Sequence, residues 1–299
     1  MKSSGEVCHR ALAQTRRGIA TRGAAHRLAV AAKFEPVELE PQVRCAPSVH
    51  HDATGPSLCH RGSEVADPGC VGQWYPVALS GEAAQMRIID LSGPIENGMW
   101  SYGPPYPDAV IQEIEQPDFI EHETFSWRFE LGAQTGTYLE TSLHVRRDGP
   151  ELIEVPVEDL FMRDATVLRV PCGPDQRIER EDLEGCDVEI LSGDAVIVAT
   201  GWEKHWNESD FVSECPWFSY EAMRWILDHE PFMMCGDMPR FDSWDEPQGF
   251  WEEFFEQGVL LLAPLINLGQ LRADRVKLTA LPMKVVETCA APCRVVASE

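Results

Sequence analysis

Residues 134–144 read QTGTYLETSLH. Taken as an extended strand, they place Gln134, Gly136, Tyr138, Glu140, Ser142 and His144 on one face, because side chains alternate with period two. Thr135, Thr137, Leu139, Thr141 and Leu143 fall on the other face. The first face is polar and suited to a ligand; the second is β-branched and aliphatic and suited to a core. Glu140 and His144 share the polar face, so the carboxylate is expected to orient the imidazole and raise its pKa for acid/base work. Gln134 and Tyr138 are expected to donate to a developing oxyanion. The plainer account makes the row a satisfied hydrogen-bond network in an inert pocket.

Outward from this stretch, the chain from Met86 onward alternates short apolar runs with Pro/Gly-rich turns. RIIDLS reads as a buried strand, FSWRFELGAQTGTYLETSLHV as one or two strands, and VPVEDLFM as a short helix. ATVLRVP, DAVIVATGW, PFMMCGD and VLLLAPLINL read as strands, and DAVIVATGW has the form of one buried on both faces. SYEAMRWILDHE has Ala222, Trp225 and Ile226 at helical spacing, with Ser219 as the cap. PQGFWEEFFEQ is a second helix, and VKLTALPMKV and CRVVAS close the chain. Interleaved strands and helices, strands in excess, predict a single mixed α/β domain over 86–299.

Residues 1–85 have neither periodicity and are expected to be a disordered extension. Their first 33 residues are rich in Arg and Ala and resemble a transit peptide; Met86 also reads as a natural start, which would make the extension an over-long gene product. The chain carries a formal charge of −24. Only eight of the 49 Asp/Glu but nine of the 25 Lys/Arg lie in residues 1–85, so the acidity belongs to the domain. That surplus argues against a nucleic-acid partner, since phosphate contacts need clustered Lys and Arg. No apolar run approaches the roughly 20 residues of a membrane span. Ten cysteines without a CxxC pair or a secretory signal point to reduced thiols and a cytoplasmic protein.

TGWEKHW, residues 200–206, follows a predicted strand, and its Trp202 and His205 are candidates for an aromatic substrate pocket. As plain structure the tryptophan covers the core edge and the histidine faces solvent. There is no phosphate-binding GxxxxGK[ST] or GxGxxG, and no GxSxG nucleophile elbow.

Four segments, IIDLSGPIENGM, GTYLETSLH, GDMPRFD and LTALPMKV with APCRVV, resemble the cyclase family of amide and lactone hydrolases, which includes bacterial kynurenine formamidase and isatin hydrolase. The resemblance implies a swivelling β/β/α fold, a homodimer or homotetramer, and one or two divalent ions, zinc or manganese, held by a His-x-Gly-Thr-His-x-Asp-x-Pro-x-His pattern. Here Gln134 and Tyr138 stand at the first two histidine positions, Glu140 at the aspartate, and of the motif's histidines only His144 is unchanged. Ala263 occupies the position of a further metal-binding glutamate, and WDEPQGF lacks the downstream histidine. Amide and phenol are poor ligands beside imidazole, so the metal is expected to be weak, with Glu140 its surviving ligand and Cys289 or Cys293 able to add a thiolate, or absent. Asp237 matches a family position near the active site.

The function expected is hydrolysis of an amide-type C–N bond in a small-molecule substrate, an aryl formamide such as N-formylkynurenine or a cyclic amide or lactone. His144 would be the acid/base, Glu140 its partner, and Gln134, Tyr138, Trp202, His205 and Asp237 would bind substrate. The alternatives are a non-catalytic member that binds a small metabolite or serves as an oligomeric partner, and a metal-free lyase or isomerase.

Overall fold

The structure, a computed structural model, describes residues 86–299, all within one compact unit. The extension expected over 1–85 lies outside the described residues. Twelve strands are described: β1 (Ile88–Asp90), β2 (Val110–Ile114), β3 (Ser126–Glu130), β4 (Tyr138–Glu140), β5 (Arg163–Arg169), β6 (Arg177–Ile178), β7 (Ala195–Ala199), β8 (Trp217–Phe218), β9 (Met233–Gly236), β10 (Leu260–Ala263), β11 (Arg275–Pro282) and β12 (Ala290–Ser298). Three helices accompany them: α1 (Arg180–Glu184), α2 (Tyr220–Leu227) and α3 (Trp251–Glu256).

Eight strands form one mixed sheet in the order β1-β12-β11-β5-β7-β9-β10-β4, and β4 pairs again with β12. That second pairing closes seven of the strands into a ring. β5, β7, β9 and β10 run parallel, β4 and β11 flank them antiparallel, and β12 pairs antiparallel with both β4 and β11. Closure removes the free edges on which an open sheet would aggregate. Alternate residues then serve two cores. Leu139, Val167, Ile197, Cys235, Leu262 and Val295 pack in one cluster, while Leu168, Val196, Val198, Met234 and Leu261 pack in another with α2 and α3. This double burial explains the unbroken apolar run of β7.

The α2 prediction holds with one adjustment. The Ser219 hydroxyl accepts from the Ala222 N–H at 3.1 Å, a cap that contributes about 1 kcal/mol. The buried face is Ala222, Met223, Ile226 and Leu227, and Trp225 sits at its half-exposed margin. VPVEDLFM forms only a 3-10 turn over Val157–Asp159. β2 and α1, which the sequence patterns did not mark, complete the domain.

The decisive stretch departs from one continuous strand. Gly136 adopts φ +65°, and a Cβ there would lie 2.9 Å from Ile95, so the chain turns at this glycine. Strand geometry covers only Tyr138–Glu140, and Ser142–His144 form a 3-10 turn. Thr137, on the opposite face, does structural work: its hydroxyl donates to the Pro264 carbonyl at 2.6 Å and accepts from the Gly93 N–H at 2.9 Å.

Candidate functional site

Period two survives where it matters. Gln134, Tyr138, Glu140 and His144 line one cavity of about 300 Å³ on the helix-bearing side of the ring, while Leu139 points into the opposite core. Six aromatic residues make up most of the remaining wall; Val145, Pro239, Leu261 and Arg240 complete it, with the Arg240 guanidinium donating to the Val212, Asp242 and Ser213 carbonyls. Tyr102 and Tyr106 come from the loop after β1, Phe241 and Trp244 from the loop after β9, and Trp251 and Phe255 from α3, one helical turn apart. Trp251 stacks on Phe255 with ring centroids 5.7 Å apart. None of these six was a sequence candidate; the closest signals were the YGPPY loop and the four aromatics of GFWEEFF.

The polar floor converges on one atom. His144 Nδ1 lies 3.4 Å from Gln134 Nε2, 3.6 Å from Glu140 Oε2 and 4.0 Å from Cys289 Sγ. Gln134 Nε2 also donates to Glu140 Oε2 at 2.9 Å. Cys289 arrives through ring closure: Ala290 is paired with Glu140, and the Thr141 N–H donates to the Cys289 carbonyl at 2.9 Å. Cys293, the other thiol considered, is buried in the opposite core.

Burial governs the charges. Glu140 is almost fully buried; desolvation pushes its pKa up to about 7 against the opposing Gln134 hydrogen bond. Desolvation also lowers the His144 pKa, which corrects the expectation that the carboxylate raises it. At neutral pH such a carboxyl is shared between its acid and carboxylate forms, and it faces a neutral imidazole. An amide N–H faces His144 Nδ1, so that nitrogen is the acceptor and Nε2 carries the proton.

The expected oxyanion donors are corrected as well. Tyr102 donates its hydroxyl proton to the Pro239 carbonyl at 2.5 Å, so the 3.1 Å contact between the two phenols takes the Tyr138 proton. Both N–H groups of Gln134 face Glu140 and His144. Gln134 and Tyr138 therefore shape the cavity without presenting a free proton to it.

Trp202, His205 and Asp237 lie outside the cavity, which corrects their assignment to substrate. Trp202 is buried and donates to the Phe211 carbonyl at 2.9 Å, and His205 stacks on it at 3.9 Å. The Asp237 carboxylate accepts from the Thr200 N–H and hydroxyl at 3.0 and 2.7 Å and from the Gly201 N–H at 2.7 Å. It pins the turn after β7 and has no capacity left for a ligand.

The donor set suits a metal ion. Glu140, His144 and Cys289 each offer one ligand atom, all within 4.8 Å of one another. Tetrahedral zinc with bonds of roughly 2.0–2.3 Å separates its ligands by roughly 3.3–3.6 Å; the 3.6 Å from His144 to Glu140 meets this, and the 4.0 Å to Cys289 needs a small inward movement of the thiol. The ligand set that the family motif implies does not assemble: Ala263 is paired with Tyr138, the alanine has no donor, and the buried Tyr138 phenol keeps its proton, which goes to Tyr102.

A closed mixed barrel that carries an aromatic cavity over Glu140 and His144, with Cys289 beside them, defines a mixed α/β single-domain fold. Residues 89–243, just over half of the chain, match the cyclase family, described as "Putative cyclase", and the chain belongs to that family. It is similar to the solved structure of a "predicted metal-dependent hydrolase" from Bacillus stearothermophilus, 25% identical, covering 72% of this chain and 99% of that one with a TM-score of 0.60. Isatin hydrolase A from Labrenzia aggregata, bound to benzyl benzoate, shares the fold at 21% identity and a TM-score of 0.63, covering 71% of this chain and 93% of that one. An uncharacterised protein of Haemophilus influenzae is 29% identical over 98 residues, 32% of this chain and 69% of its own.

Proposed function

We propose that this chain is a hydrolase of an amide-type C–N bond in an aryl substrate, an aryl formamide or a cyclic amide or lactone, with Glu140 and His144 as the acid/base pair. One observation carries the reading: a buried carboxyl near pKa 7 touches a neutral imidazole on the floor of an aromatic cavity. Such a carboxyl exists in both protonation states at neutral pH, which suits proton transfer in either direction. Glu140 Oε2 is held by Gln134, which leaves Oε1 to take a proton from the attacking water. The protonated Glu140 then passes that proton to His144, and the imidazolium so formed donates a proton to the leaving nitrogen, which leaves Glu140 ionised and His144 neutral as at the start. The aromatic walls would hold the aryl ring and exclude water.

Glu140, His144 and Cys289 would hold a divalent ion, which supplies carbonyl polarisation and an acidified water when bound. Catalysis is tested by assaying N-formylkynurenine hydrolysis with the full chain, metal-free and with zinc. Loss of activity in His144→Ala and Glu140→Gln supports the reading. Inertness of the wild type towards formamides, lactones and isatin under both conditions refutes it. The second reading, a non-catalytic binding protein, is favoured by the full commitment of the Gln134 and Tyr138 protons.

A further inference from the structure

We propose that Glu140, His144 and Cys289 form a mononuclear divalent-metal site in which a Cys289 thiolate stands in for the missing imidazoles and makes the centre soft and zinc-selective. The inference deepens the hydrolase reading by fixing the ligand set and metal preference of the same site; only its third observation below rests on that reading.

Three observations support it. The first is geometric. In a nucleophile–histidine–acid relay the thiol and the carboxylate occupy opposite nitrogens of the ring. Here both face Nδ1, at 4.0 and 3.6 Å, the arrangement of ligands around a shared point. The second is the shell behind the ligands. Gln134 fixes the Glu140 carboxylate at 2.9 Å, and the Thr141 N–H holds the Cys289 backbone at 2.9 Å, so one ligand is oriented and the strand that carries another is anchored. The third is an electrostatic gap. Gln134 and Tyr138, the polar neighbours best placed to meet a carbonyl oxygen turning negative, have spent their protons inside the protein. A cation on the floor would fill that gap.

The chemistry balances. Binding releases the Cys289 thiol proton, and the Glu140 proton where present, to solvent. One thiolate and one carboxylate neutralise a divalent charge, which suits a cavity walled by aromatic rings. His144 Nδ1 then carries the metal and no longer accepts a proton from Glu140, so loading the site exchanges the acid/base relay for Lewis-acid chemistry. Thiolate selects zinc, cobalt or cadmium over manganese and magnesium.

The test uses the full chain, stripped with chelator and titrated with Co²⁺. Wild type is expected to take up one equivalent per chain with an intense near-ultraviolet thiolate-to-cobalt band and tetrahedral visible absorption. Cys289→Ser is expected to lose the band and to weaken Zn²⁺ more than about 100-fold, beyond the loss typical of outer-shell changes. Glu140→Gln keeps the thiol and retains a weaker band. Bound Zn²⁺ also shields Cys289 from iodoacetamide, read by peptide mass spectrometry. The proposal is overturned if wild type retains no metal, if the band persists in Cys289→Ser, or if Mn²⁺ binds as tightly as Zn²⁺. Metal binding as described without turnover of any formamide, lactone or isatin would sink the hydrolase reading and leave this site standing.

Discussion

Replacing Glu140 by Gln in the metal-free protein should change how stability depends on pH. The Glu140 carboxyl ordinarily titrates near 4.5, and burial raises it to about 7 in the fold. Between those two values the folded state holds a proton that the unfolded chain has released, so stability falls as pH rises through this window. The contribution is fully present below about pH 4.5 and gone above about pH 7. A shift from 4.5 to about 7 corresponds to about 3 kcal/mol at 1.36 kcal/mol per unit. A glutamine cannot ionise, yet its carbonyl still accepts from Gln134, so the variant keeps the hydrogen bond and loses the pH term.

The assay is urea denaturation of the chelator-treated wild type and Glu140→Gln at about pH 5, 6 and 8, read by tryptophan fluorescence. The other carboxylates cancel in the difference between the two proteins. That difference should move by about 3 kcal/mol in favour of the variant across the series. Added Zn²⁺ at about pH 8 should reverse the order, since an ion that binds the folded wild type more tightly than the variant stabilises it more by mass action. A stability gap that stays constant with pH would refute the reasoning, because Glu140 would then titrate as an ordinary exposed acid.

Other expectations are simpler to check. Arg275 donates to the buried Asp194 carboxylate at 2.7 and 3.0 Å, with Thr166 and Leu191 adding bonds at 2.8 and 2.9 Å. Arg275→Met should cost about 1–3 kcal/mol in chemical denaturation, because an uncompensated carboxylate stays buried. Burial raises the Asp194 pKa, but these hydrogen bonds and the Arg275 charge lower it further, so that stability is present at neutral pH and lost as pH falls through the folded pKa. Gly136→Ala forces a Cβ to 2.9 Å from Ile95 at φ +65° and should cost about 1–3 kcal/mol, measured as a lowered melting temperature. Tyr102→Phe removes the acceptor of the Tyr138 proton and frees that proton for the cavity. It should leave the Pro239 carbonyl unpaired at a cost of about 1 kcal/mol and lower KM for a carbonyl substrate, read by steady-state kinetics.

The polar row was legible because it depends on local alternation alone, which persisted across Tyr138–Glu140 and carried His144 to the right side through a tight turn. What lay beyond the sequence depends on closure of the ring. Cys289 is 145 residues from His144, and no spacing rule joins them; the pairing of β12 with β4 does. The aromatic walls come from two loops and a short helix whose side chains share a cavity only in the folded barrel. Direction of hydrogen bonding is equally invisible in sequence. Tyr138 at a former ligand position reads as a donor aimed at substrate until Tyr102 and the Pro239 carbonyl fix which way its proton points. Trp202, His205 and Asp237 failed as site residues for the converse reason: a polar or aromatic residue after a strand can be spent on holding the turn, as Asp237 is by its three short bonds to Thr200 and Gly201. Tyr138 thus serves as a wall and Gln134 as a clamp, and Cys289, which lies outside the motif, stands beside Glu140 and His144.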